Sequence, residues 1–236
     1  MFSPRDYLDL ERTAHGALFG GDDEPVWSAI GRIGDYLDGL LDRHAGERLL
    51  GEVHERAVVG ELVYVGAGAV IEANAVVRGP AWIGEGTVVR SGAYVRERVV
   101  TGGRCVLGNS CEFKNCLLFD ECEVPHFNYV GDSILGYRAH LGAGVICSNV
   151  RLDRRHVTVA TAAGEMLDTG LRKFGAVVGD RTEIGCNSVL SPGSLLGRDG
   201  ILYPGTHWRG VLAAGRIVKN RQNLVVVERP DGGDRD

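Results

Sequence analysis

The chain has 236 residues, enough for one sizeable core and too few for two full enzyme domains in comfort. Its formal net charge of -5 argues against nucleic acid or another polyanion as the main partner. The six cysteines include no CxxC pair, the N-terminus lacks a basic stretch followed by an apolar one, and no run reaches eighteen apolar residues, so a reduced cytoplasmic chain that neither spans nor binds a membrane is expected.

Residues 1–50 read as a helical cap. Ser3-Pro4 and Glu24-Pro25 are helix starts, and Trp27, Ile30, Ile33, Leu37 and Leu40 recur at helical spacing, predicting two helices that cap or flank the next part of the chain. From residue 51 the period changes. An apolar residue returns every six positions through Val53, Val59, Val65, Ile71, Val77, Ile83, Val89, Val95, Thr101, Leu107, Phe113, Phe119 and Pro125. A small or compact residue stands four positions after most of them, as at Ala57, Ala69, Ala75, Ala93, Cys105 and Cys111. Both sets must point inward in an all-β solenoid, three short strands making each triangular coil and the 35 glycines supplying tight turns.

The register returns at Leu135, Leu141 and Cys147, and again at Val178, Ile184, Leu190, Leu196 and Leu202. It predicts a β-helical domain over 51–212, with interruptions near 131–134 and a longer insertion at about 151–174. In the remainder, 213–236, Leu224 to Val227 reads as an edge strand or a segment packing on a neighbour, and Asp231 to Asp236 as a loose acidic tail. The cysteines fall mostly at inward small positions, which favours packing over metal binding.

In such a solenoid residues one coil apart stack roughly 4.8 Å from each other. Arg78, Arg96 and Lys114 form such a column. Spacing alone favours a solvated edge; the alternative is a phosphate site, because stacked cations repel unless solvent or an anion screens them. His126, in Val124-Pro125-His126-Phe127-Asn128-Tyr129, is expected at the same post-apolar position two strands later, on an adjacent edge. Alone, it reads as structural or solvent-exposed. The insertion carries Arg151, Arg154, Arg155, His156, Arg172 and Lys173, either a solvated mixed-charge loop or one that closes over phosphates.

The stretches GNSCEFKN, VPHFNYVGDSILGYRAHLGAGVICSN and DTGLRKFGAVVGDRTEIGCNSVLSPGSLLG resemble the acetyltransferase domain of the bifunctional N-acetylglucosamine-1-phosphate uridylyltransferase/glucosamine-1-phosphate N-acetyltransferase, especially its archaeal relatives. The resemblance covers roughly the second half of the chain and extends more weakly back to about residue 53. It implies a left-handed parallel β-helix, although parallel crossovers are in general right-handed. It also implies a homotrimer and acetyl-CoA as co-substrate, with no metal. His126 falls at the general base; Arg96 and Lys114 match cations that hold the sugar phosphate. Tyr129, His140, Asn149 and Lys173 fall where the amino sugar is bound, while Cys186, Tyr203 and Pro204 fall in the region that meets coenzyme A.

Three departures stand out: His140 replaces the usual asparagine, Cys186 a serine, and Glu97 follows Arg96 where Pro-Gly is familiar. Residues 1–50 do not resemble the family's nucleotide-binding half. The leading expectation is a coenzyme A-dependent N-acetyltransferase for an amino-sugar phosphate, glucosamine 1-phosphate first, serving nucleotide-sugar synthesis for the cell envelope. The alternatives are an acyltransferase for a nucleotide-linked sugar or another amine, and a non-catalytic scaffold or sugar-phosphate sensor. A zinc enzyme on the same fold would need a closely spaced histidine pair, whereas His126 and His140 lie too far apart in sequence.

Overall fold

The computed structural model describes residues 2–161, 163–221 and 225–228. Among them the chain winds as a left-handed parallel β-helix of about nine turns. Sheet 1 has nine strands, from Glu52–Val53 to Ile217–Val218; sheet 2 has eight, from Val58–Val59 to His207–Trp208; sheet 3 has eight, from Val63–Val65 to Val211–Leu212. The ladders stack the expected inward residues: Ile71 on Val89, Val77 on Val95, Cys147 on Leu190. Ile71, Val77, Val89, Val95, Leu107 and Phe113 are all completely buried.

From Glu52–Val53 to Ile217–Val218 the six-residue period slips, among the described residues, only at the corner between sheets 2 and 3. Val95 pairs with Phe113 one full coil on, but Thr101 pairs with Leu118, so one residue has been lost there. The inward series therefore continues through Leu118, Val124 and Val130, and Pro125 is not one of its members. A second residue is lost at the same corner between Val130 and Leu135, where the sequence pattern predicts an insertion at 131–134. The shortened turns put Asn115 and Asp132 at φ 46° and 48°, in the left-handed region that asparagine and aspartate tolerate. The true insertion leaves from this corner too. It forms a small antiparallel hairpin, Thr158–Ala160 with Met166–Asp168.

Leu196 pairs with Leu212 while Leu190 pairs with Trp208, so two more residues are lost at that corner near Gly210. This slip hides the last repeat from a six-residue count. The solenoid runs on to Ile217–Val218, beyond the boundary read at 212. Val225, Val226 and Val227 are exposed and form no strand, a correction to the edge strand read there; Leu224 and the acidic tail 231–236 lie outside the described residues.

The N-terminal segment covers the outer face of sheet 3 and leaves the end of the prism open, with the inward residue Val53 exposed. Ser3 caps the short helix Pro4–Tyr7 in a capping box with Asp6. Buried Asp180 then anchors the segment, accepting from the backbone N–H of Asp9 at 2.7 Å and of Tyr137 at 2.8 Å. The helix Ser28–Arg43 comes next, burying Ile30, Ile33, Leu37 and Leu40 as the periodicity predicts. It packs on the sheet 3 strands Ala81–Ile83, Val99–Thr101 and Cys116–Leu118. These strands also bury outward residues such as Val100 and Leu117 completely. Burial of each such side chain stabilises by about 1.5–3 kcal/mol, so helix and sheet support each other. Runs such as Cys116-Leu117-Leu118 carry the signal in sequence, since a strand covered on both faces loses its alternation.

Cys105, Cys111, Cys116, Cys122 and Cys147 are buried free thiols, and burial pushes Cys147 up to about 12. Cys186 is exposed. In the native protein a water-soluble disulfide reagent should titrate Cys186 rapidly and the other five only after denaturant is added. Fast modification of more than one thiol would contradict the packing of the prism interior.

Candidate active site at two corners of the prism

Lys114 ends a strand of sheet 2, in register between Arg96 and Gly131, and the stacking of Arg78, Arg96 and Lys114 is the one the spacing predicts. The column is not a free set of cations. Arg96 is held by Glu112 at 3.0 Å and Glu97 at 3.4 Å. Lys114 Nζ lies 3.6 Å from the carboxylate of Asp132, with the two side chains only 15% and 4% exposed.

Asp132 organises the corner between sheets 2 and 3. It also accepts from the Asn115 amide at 2.9 Å and from the Asn149 amide. The same Asn149 amide donates to the Tyr129 hydroxyl at 3.1 Å, which leaves the Tyr129 O–H free to donate outward. Burial, reinforced by the negative charge of Asp132, raises the Tyr129 phenol, keeping that proton in place. Gly131 makes the convergence fit: a Cβ there would collide with the Tyr129 hydroxyl and stand 2.8 Å from the Asn149 amide. Lys173 is exposed and emerges beside this group, because the next residue, Phe174, donates its N–H to the Asn149 carbonyl at 3.0 Å.

His126 occupies a different corner, between sheets 1 and 2. It ends the strand Glu123–His126, paired with Asn109, two residues after the inward Val124 and not immediately after an inward residue as the unslipped count implied. Its side chain is exposed and its ring has no hydrogen-bond partner among the described residues. The turn beneath it is fixed by Asn128, 3% exposed, which occupies the inward slot held by Cys111 one coil earlier. The Asn128 side chain accepts from the His126 backbone N–H at 3.1 Å and donates to the Gly142 carbonyl at 2.7 Å. Phe127, between them, takes φ 53°.

Successive coils set Ala143, Cys186 and Pro204 in line above His126 on this corner, linked by the backbone bonds Gly144 to His126, Asn187 to Ala143 and Gly205 to Cys186. At roughly 4.8 Å per coil, Cys186 is about 10 Å and Pro204 about 14 Å from His126 along the prism. Exposed Tyr203 precedes Pro204 on the same edge.

His140 belongs to neither group. It lies on the outer face of sheet 1 beside Glu123, its Nδ1 2.6 Å from a Glu183 carboxylate oxygen. Three residues of extended chain separate its level from that of His126, about 10 Å. Asn115, Asn128 and Asp132 are the site-forming residues missed by sequence reasoning. A polar residue in the inward series, at Asn128, and a lost residue in the repeat, at Asn115 and Asp132, were the available signals.

The fold is a hexapeptide solenoid with a histidine on one edge and a half-buried lysine-carboxylate-amide cluster on the next, and the chain resembles the hexapeptide acyltransferases. Residues 77–170 match the GMPPB C-terminal domain family. The chain is 33% identical over 194 residues to the bifunctional protein GlmU of Methanocaldococcus jannaschii, a match covering 81% of this chain and 46% of that protein. It is 34% identical over 89 residues to the bifunctional sugar-1-phosphate nucleotidylyltransferase/acetyltransferase of Sulfurisphaera tokodaii, covering 38% of this chain and 22% of that one. The matches thus span about a fifth to just under half of these relatives' length. Among solved structures, a point mutant of the GDP-perosamine N-acetyltransferase of Caulobacter crescentus, with CoA and GDP-perosamine bound, is 21% identical at a TM-score of 0.32, covering 68% of this chain and 60% of that one.

Proposed function

We propose that this protein is a coenzyme A-dependent N-acetyltransferase for an amino-sugar phosphate, with glucosamine 1-phosphate the first candidate. The observation that carries this reading is the Asp132 cluster. It holds Lys114, Asn149 and Tyr129 in one place, offering an ammonium and a free hydroxyl to a phosphorylated sugar. Exposed His126, in line with Cys186 and Pro204, supports an acyl-transfer edge along which acetyl-CoA would lie.

In the reaction the neutral amine of the sugar attacks the thioester carbonyl, and His126 takes the amine proton as the tetrahedral intermediate forms. Collapse of that intermediate breaks the carbon–sulfur bond. The protonated imidazole then returns its proton to the departing coenzyme A sulfur, giving an amide and a free thiol. A protonated substrate must first lose one proton to solvent.

Within one chain His126 and Lys114 stand at opposite ends of the outer face of sheet 2, about five extended residues or roughly 16 Å apart. A homotrimer with parallel prism axes would bring the His126 edge of one copy against the Lys114 edge of the next, through heterologous contacts that close after three. No described helix is long and apolar enough to cross a membrane.

Release of coenzyme A thiol, measured against amino-sugar phosphates and nucleotide sugars, tests the reading. Lys114→Ala should raise the acceptor KM about tenfold or more while leaving the acetyl-CoA KM within about twofold. Absence of thiol release with every acceptor would overturn the proposal, and equal losses for both substrates would overturn the assignment of this pocket.

A further inference from the structure

The insertion does more than extend a corner: two open cavities lie against it and meet along a shared wall. The first, about 650 Å³, is lined by Arg151, Arg154, Arg155, His156 and Arg172, with Asp153 and Asp168 as its carboxylates. The second, about 490 Å³, lies between the base of the insertion and the outer face of sheet 2, and its walls include Ser148, Val150, Leu152, Val189, Ser191 and Pro192. Arg151, Asp153 and Thr158 line both, and the Arg151 guanidinium donates to the Thr158 hydroxyl at 3.1 Å.

The charges in the first cavity do not cancel. Asp153 holds Arg151 in a two-pronged contact at 2.9 and 2.6 Å, and Asp168 stands 3.3 Å from His156. Arg154, Arg155 and Arg172 have no carboxylate within ion-pair distance among the described residues. Arg154, Arg155 and Arg172 are exposed, and three guanidiniums without a carboxylate partner around one cavity, in a chain of net charge -5, suit an anion with several acceptor oxygens. The second cavity is more mixed: Val150, Leu152, Val189 and Pro192 supply an apolar face, Ser148, Thr158 and Ser191 hydroxyls, and Arg151, Asp153 and Arg209 charges, and its volume is in the range of a small-molecule pocket. A ligand filling both has a polyphosphate at one end and a hydroxyl-bearing body with an apolar face at the other. A nucleoside diphosphate has that constitution.

The position of the cavities ties this ligand to the Asp132 cluster. Arg151 follows Asn149 by two residues, and Arg172 precedes Lys173 and the Phe174 amide that bonds Asn149. We propose that the insertion forms a nucleoside-diphosphate subsite, so that besides a simple amino-sugar phosphate the site accepts an amino sugar attached to that diphosphate, its amine carried beyond Asn149 and Tyr129. This inference rests on the acyl-transfer reading for the fate of the sugar, though not for the binding of the nucleotide.

Coenzyme A also contains a nucleoside diphosphate, so the test must separate the two sources. The full chain is titrated calorimetrically with UDP, with GDP and with 3′-phospho-ADP, the nucleotide part of the coenzyme, and again as the Arg155→Ala/Arg172→Ala variant. UDP or GDP should bind the unaltered chain and lose about tenfold or more in the variant, the scale of a lost charge-assisted contact to phosphate, while 3′-phospho-ADP binding is unchanged. Arg155→Glu provides a second variant should the first unfold, with the same loss expected. Failure of both UDP and GDP to bind, equal affinity in the folded variants, or a loss as large for 3′-phospho-ADP would each overturn the subsite. A chain that binds UDP through these arginines yet releases no thiol with any amino sugar would retain the subsite and remove the acyl-transfer reading.

Discussion

His126→Ala should lower kcat by about 10²- to 10⁴-fold, the usual contribution of a positioned general base. The acceptor amine is largely protonated near neutral pH, and an imidazole is basic enough to take the proton released as the carbon–nitrogen bond forms. Activity of the variant should partly return as pH rises and more of the amine is already neutral. The structure makes stability a clean control: the ring is exposed and without a hydrogen-bond partner among the described residues, and the turn is held from below by Asn128. The melting temperature should therefore stay within about 2 °C, since surface changes away from caps and networks are usually worth less than about 0.5 kcal/mol. Unchanged kcat in a correctly folded variant would remove His126 from the mechanism. A large stability loss would instead make it a structural residue.

Asp132→Ala should act in the opposite order, on folding first. It leaves a largely buried Lys114 ammonium without its counter-charge, and the Asn115 and Asn149 amides without an acceptor. Removing one partner of such a pair costs about 3–5 kcal/mol. A second change, Lys114→Met, should recover much of that stability by removing the stranded charge, while acceptor binding stays lost. Chemical denaturation of the single and double variants checks the first effect, and the acceptor KM the second. A single variant that loses less than about 1 kcal/mol would mean that the corner is a solvated edge.

The repeat was legible because each inward position is filled by the same physical demand, coil after coil; Ile71, Val77 and Phe113 needed nothing but their spacing. The slips were not, since a hexapeptide count has no means of distinguishing a lost residue from an inserted one until the partner strand is known. Hence Pro125 was read as inward when Val124 is, and the last repeat, Ile217–Val218, was passed over. The N-terminal helix was legible from its stripe, but its direction was not: whether it closes the end of the prism or lies along its side depends on Asp180, far away in sequence, gripping the chain at Asp9. At the site, His126, Lys114, Tyr129 and Asn149 were found through resemblance. Asp132, which draws the last three together, required coordinates, because its importance lies in whom it touches.

From Glu52–Val53 to Ile217–Val218, the irregularity of the coil among the described residues is confined to the corner between sheets 2 and 3. It loses one residue at Asn115, another at Asp132 and two near Gly210, and it gives rise to the entire insertion, while the ladders on either side keep their pairing. Such a corner is a splice point. Loops of other lengths, or recognition segments for other ligands, could be grafted there without resetting the pitch of the prism. Specificity would then be free to diverge on one edge while the His126 edge, built on unbroken repeats, stays constant.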